Sequence, residues 1–150
     1  MLILNGVLMT EDEATLPATD RALTHGLGLY ETMKLMDGVP VFFEEHVARL
    51  VQGIAALGLD KPIDKPELAE QICRLAEANG RAHNGCRLLV TAGPTGGRPN
   101  LLVQTDRREF PDRPLRVITH RGVRVSAQYK AMTVMQSYFA QRAAHAAAMD

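Results

Sequence analysis

The apolar period of this 150-residue chain changes at Glu44. Before that point the apolar residues fall in short extended blocks: 2–4 and 7–9 flank Asn5-Gly6, and 29–36 and 39–43 flank Asp37-Gly38. Both dipeptides tolerate positive φ at the two central positions of a tight turn, so each predicts a β-hairpin. After Glu44, the residues Val47, Leu50, Val51, Ile54 and Leu57 recur at helical spacing, with Glu44 and Glu45 in the first turn and Gly58 just past the end. This predicts a helix of about 14 residues. Hairpins followed by helices place the chain in the α+β class, with an α/β two-layer N-terminal domain.

The region between the hairpins, from Thr10 to about Gly28, is rich in turn formers and reads as a loop. Pro66 in a first turn, followed by Leu68, Ile72, Leu75 and Ala76 and closed by Asn79-Gly80, predicts a second helix, with Cys73 in or beside its apolar face. Strands are expected at 86–92 and 100–105, on either side of a Gly/Pro-rich turn. Residues 106–114 are polar, hold two prolines and lack any apolar period, so they read as an interdomain linker. Residues 1–105 are then the N-terminal domain. Beyond the linker, 115–119 and 123–125 read as strands and 130–149 as an Ala-rich helix without a stop signal. Some 35 residues are too few to enclose a core, so 115–150 reads as the incomplete start of a second domain.

The composition removes several classes of function. Lys and Arg number 17 against 17 Asp and Glu, which leaves no cation excess to neutralise a polyanion and disfavours nucleic acid as a partner. Two cysteines, Cys73 and Cys86, cannot build a disulfide framework, and no apolar stretch approaches the ~20 residues of a membrane helix. The expected setting is cytoplasmic. His25, His46, His83, His120 and His145 are scattered, so no metal site is expected. Gly26-Leu27-Gly28 precedes a strand, whereas a dinucleotide fingerprint must open a helix.

By spacing alone, Arg49 lies about 140° from the centre of its helix's apolar stripe, at ~100° per residue, and reads as a solvated charge. His46, one turn earlier, reads as a packing or capping side chain. Lys130 reads as a surface lysine, since a catalytic amine must be partly desolvated and spacing does not report desolvation.

Other features shift these weights. Asp20-Arg21, Gly26-x-Gly28-x-Tyr30-Glu31-Thr32, Asp37-Gly38 and His46-x-x-Arg49-Leu50, within the run ALTHGLGLYETMKLMDGVPVFFEEHVARLVQGIAALGL (22–59), resemble the N-terminal signature of the class IV, fold-type IV pyridoxal-phosphate enzymes. Val90-Thr91-x-Gly93 with Arg98, then Tyr129-Lys130 and Ala140-Gln141-Arg142-Ala143, fit the same family in the same order. That family comprises branched-chain aminotransferases, D-amino-acid aminotransferases and aminodeoxychorismate lyases.

The resemblance implies pyridoxal 5'-phosphate as cofactor and a second, β-rich cofactor-binding domain. It assigns Lys130 as the catalytic lysine that forms the Schiff base and shuttles the α-proton, and Arg49 as the holder of the cofactor phosphate. It places Tyr30 and Arg98 at the substrate carboxylate, the arginine reaching over from the partner of a homodimer. The implied activity is amino-group transfer between an amino acid and a 2-oxo acid; the alternative in the same family is pyruvate elimination by an aminodeoxychorismate lyase. Family members are longer than this chain, and the glutamate at the pyridine nitrogen and the phosphate-cradling loop fall in the further part, so the 150 residues alone are expected to be inactive. A noncatalytic dimerisation or binding remnant is the expectation from another class. Alternating apolar residues Val39, Val41 and Phe43 on one strand, with Leu101 and Val103 on another, are expected to leave an apolar face that favours self-association.

Overall fold

The computed structural model describes residues 1–80, 83–108, 112–122 and 128–149. Strands β1 (Leu2–Leu4) and β2 (Val7–Met9) form the first hairpin, with Asn5 at φ 50° and Gly6 at φ 87°, as the turn dipeptide requires. Strand β3 (Gly28–Met36) turns through Asp37 and Gly38, again both at positive φ, into β4 (Val39–Pro40). The sheet is completed by β5 (Gly85–Thr91) and β6 (Asn100–Asp106). All pairings are antiparallel and the strand order is β2-β1-β6-β5-β3-β4.

Two helices cover one face of this sheet. Helix α2 (Phe43–Ala56) follows β4, and α3 (Lys65–Ala78) is capped by Asp64, whose carboxylate accepts from the Glu67 amide at 2.9 Å. Val47, Leu50 and Ile54 of α2 and Leu68, Ile72 and Leu75 of α3 pack on Leu29, Met33, Leu88 and Val103 from the strands. Non-polar area removed from water along this seam is the main source of stability. The two-layer α/β expectation is met.

Four details differ from the sequence reading. The loop before β3 holds a short helix, α1 (Arg21–His25), capped by Asp20; five residues are too few to show a helical period. The strand expected over 39–43 stops at Pro40, because Phe42 adopts φ 54° and turns the chain into α2, leaving its ring 70% exposed. Val39, Val41 and Phe43 therefore do not line one strand face. Residues 115–119 form no strand among the described residues, having no ladder partner, and 123–125 lie outside them. Finally, the last helix, α4, spans only Met135–Ala146, and Lys130 precedes it in extended chain. Among the described residues no helix is long and apolar enough to cross a membrane.

Candidate functional site

Strand β3 has one edge that β4 covers only at its far end, through Leu35 and Met36. The segment around Lys130 occupies the near end of that edge. The Tyr30 amide donates to the Lys130 carbonyl at 2.8 Å, the Met132 amide donates to the Gly28 carbonyl at 3.0 Å, and Leu29 bridges to Ala131 in antiparallel sense. Gly28 is needed for this approach: a Cβ there would meet the Met132 sulfur and lie 2.7 Å from the Val90 carbonyl oxygen. Main-chain bonds thus dock Lys130 from 98 residues further along the chain.

Side chains of a strand alternate between faces, so Tyr30, Thr32 and Lys34 lie opposite Leu29, Glu31, Met33 and Leu35. On the face away from the helices, the Lys130 Nζ donates to Thr32 Oγ1 at 2.6 Å and stands 4.9 Å from the centre of the Tyr30 ring. Threonine is stiff at χ1, so its hydroxyl is a fixed acceptor, and the ring face attracts the ammonium. A groove of about 390 Å³ opens beside Tyr30, lined also by Arg87, Leu89, Gln104, Met132 and Val134.

On the helix face the inward phase of β3 carries Glu31, 1% exposed, among the apolar residues of the core. A carboxylate at that depth must be paired. Arg49 provides a fork, with Nε 2.6 Å from Oε1 and Nη2 2.5 Å from Oε2, and His46 Nδ1 lies 2.8 Å from Oε2. An ionised carboxylate only accepts, so Nδ1 carries the hydrogen and the 3.4 Å approach of Arg49 Nη2 to it is proximity between two donors. Helix α2 comes close enough because residue 53 is glycine: a Cβ there would stand 2.8 Å from a Leu29 methyl. Arg49 and His46, one turn apart, then face the strand together.

Burial pushes the Glu31 carboxyl up, but the bonds from Arg49 and His46 and the charges of Arg49 and Lys130 outweigh it, and the group is held below its ordinary value. A carboxyl lowered by folding contributes stability that is complete above its unfolded value, about 4.3, and is lost as pH falls through the folded value. Thermal melts between about pH 6 and pH 3 should therefore show an acid limb that is shallower in Glu31→Gln than in the parent. Limbs of equal steepness would contradict the pairing.

The loop leading to β3 is tied down by a separate network. Asp20, fully buried, accepts from the Ala22 amide at 2.8 Å, the Thr91 hydroxyl at 2.6 Å and the Asn100 amide at 3.1 Å. Arg21 donates to the carbonyls of Ala92 at 2.8 Å and Gly93 at 3.1 Å. The Asp20-Arg21 pair is therefore an architectural clamp between α1 and the β5–β6 turn.

Of the four residues singled out from the sequence, Lys130 and Tyr30 touch each other, and Arg49 joins them through Glu31, which feels the Lys130 charge. Arg98 is exposed in the β5–β6 turn and makes no side-chain hydrogen bond among the described residues. Sequence reasoning missed Glu31, Thr32 and the pairing of His46. The signal was present for Glu31: a carboxylate in the inward phase of an alternating strand, with a His and an Arg three residues apart on the following helix.

A family model for class IV amino-transferases matches residues 28–150. The chain is 34% identical over 92 residues to the D-alanine aminotransferase of Bacillus licheniformis, covering 61% of this chain and 32% of that protein. It is 30% identical over 95 residues to the aminodeoxychorismate lyase of Bacillus subtilis, covering 62% and 32%. The fold-IV transaminase CpuTA1 of Curtobacterium pusillum superposes with a TM-score of 0.79 at 27% identity, over 96% of this chain and 54% of that one. The matched stretch spans about a third of the curated relatives and about half of the solved enzyme. The match runs from the glycine that admits the Lys130 segment through the Glu31–Arg49 pair and past α4 to residue 150, and the chain belongs to the class IV aminotransferase family.

Proposed function

We propose that this chain supplies the lysine and the phosphate-binding arginine of a pyridoxal-phosphate-dependent enzyme that moves an amino group between an amino acid and a 2-oxo acid. The observation that carries this reading is the docking of Lys130, a half-buried amine, on Thr32 and on the ring of Tyr30, which itself lines an open groove. The residues fit the cofactor's two demands. Lys130 provides an amine for an aldehyde. Arg49, 43% exposed, uses Nε and Nη2 on Glu31, and its Nη1 has no partner among the described residues, which leaves donors for a phosphate.

When bound, pyridoxal phosphate supplies a carbonyl that captures amines and a ring that takes up electron density. The chain's own residues do the rest. Lys130 would hold the cofactor's aldehyde and would accept and return a proton at Nζ, and Thr32 and Tyr30 limit where that nitrogen can sit. Tyr30, which lines the groove, serves a substrate carboxylate, and Arg98, exposed in the β5–β6 turn, serves the same carboxylate across a homodimer interface. Asp106, read from the sequence as the first linker residue, closes β6 instead, and the stretch after it acts as the linker to a second, cofactor-covering unit; the enzyme works in the cytoplasm.

The 30% identity to an aminodeoxychorismate lyase supports elimination of pyruvate as the second reading. One assay separates the two. The complete protein, supplied with pyridoxal phosphate, is expected to form a new amino acid from D- or L-alanine and 2-oxoglutarate. Formation of pyruvate and 4-aminobenzoate from aminodeoxychorismate, without amino transfer, would replace the first reading by the second, and neither product would return the chain to a noncatalytic binding role.

A further inference from the structure

Glu31 poses a problem that the reading above does not solve. A carboxylate next to a phosphate-binding arginine removes positive charge from the place where an anion is to bind, and its own burial is costly. Nothing in the fold demands it: the neighbouring inward positions on β3 are apolar, and a leucine would complete the alternation. What Glu31 does is fix a side chain that is otherwise long and half in water. Its two oxygens take Nε and Nη2 of Arg49 at 2.6 and 2.5 Å, and His46, 20% exposed, closes the far side of the same carboxylate at 2.8 Å.

We propose that Glu31, supported by His46, is the positioning residue for Arg49, holding the guanidinium by one edge so that Nη1 is preset for a phosphate. The inference rests on the reading that Arg49 holds the cofactor phosphate. Two effects oppose each other here. The carboxylate weakens the attraction of the site for an anion, but Arg49 is 43% exposed and that loss is screened by water and salt. In return the arginine is spared the loss of rotamer freedom that a loose side chain suffers when it is ordered on a ligand. The planar fork makes this possible, because one carboxylate fixes two of its three nitrogens and leaves the third.

The test is binding, measured by absorbance titration of the complete protein with pyridoxal 5'-phosphate and, separately, with pyridoxal, which lacks the phosphate. The parent should prefer the phosphorylated form strongly. Glu31→Gln, nearly isosteric, should bind pyridoxal 5'-phosphate at least fivefold more weakly and pyridoxal within twofold of the parent. In an Arg49→Ala background the same Glu31→Gln change should alter affinity less than twofold, because Glu31 acts through Arg49; a merely structural role would weaken both ligands in both backgrounds. His46→Asn, which removes one contact from a less buried side chain, should weaken only the phosphorylated ligand, by about two- to threefold, and serves if Glu31→Gln does not fold. Equal or tighter binding of pyridoxal 5'-phosphate by these variants, with the parent's preference intact, would overturn the positioning role alone. A parent with no preference for the phosphate would overturn the Arg49 assignment as well.

Discussion

Replacing Lys130 with alanine should abolish covalent capture of pyridoxal phosphate by the complete protein, seen as loss of the long-wavelength absorbance band, and should leave stability within about 0.5 kcal/mol of the parent. The separation follows from how the segment is held. Its attachment to β3 runs through the main-chain bonds from Tyr30 to the Lys130 carbonyl and from Met132 to the Gly28 carbonyl, and alanine keeps both. The side-chain bond to Thr32 and the contact with the Tyr30 ring are among what is lost, both at a partly exposed position. Lys130→Arg should also lose the band, since a guanidinium stays protonated and cannot add to an aldehyde at neutral pH. A band retained in either variant would place the attachment on another lysine.

Arg49→Ala should weaken affinity for pyridoxal phosphate by about 2–4 kcal/mol, roughly 30- to 800-fold, the range for losing a charge-assisted partner of a bound anion. From helix periodicity alone this residue would be expected to matter little for stability, because it lies off the apolar stripe. The structure alters that second expectation. Removing the fork strands Glu31 in the core with His46 as its only remaining partner among the described residues, and a buried group left unsatisfied costs about 1–3 kcal/mol. The variant should therefore melt lower as well as bind more weakly, and Arg49→Ala combined with Glu31→Leu should recover stability without recovering affinity. Affinity unchanged in Arg49→Ala would restore the reading of Arg49 as a charge paired for structural reasons only.

What could be read from the sequence divides along a physical line. Features set by local backbone chemistry were legible: Asn5-Gly6 and Asp37-Gly38 make their turns with both residues at positive φ, and the helix expected after Glu44 occupies Phe43–Ala56. Features set by a partner far along the chain were not. Leu115 to Thr119 has a strand-like pattern, yet a strand is defined by a neighbour, and none of the described residues pairs with it. Phe42 enters the left-handed region, which is unfavourable for a bulky side chain, and so gives no warning that β4 will end at Pro40.

The site divides in the same way. The family resemblance singled out Tyr30, Arg49, Arg98 and Lys130, whereas the weighting of Arg49 as solvated was the natural result of viewing one helix in isolation. A helical wheel cannot show that Gly53 lets α2 settle against Leu29 and bring Arg49 onto a buried carboxylate. The departure that mattered was Glu31 itself, a charge where the alternation of Leu29, Met33 and Leu35 calls for another apolar residue. Breaks of this kind in an otherwise regular pattern are where function is to be sought.

The central claim is that the amine of Lys130, docked at the edge of β3, is the group that takes the cofactor. Borohydride reduction of the complete protein loaded with pyridoxal phosphate, followed by proteolysis and peptide mapping, tests it most directly. The account predicts a single stable pyridoxyl adduct on the peptide carrying Tyr129-Lys130-Ala131; an adduct on any other lysine, with Lys130 unmodified, would contradict it.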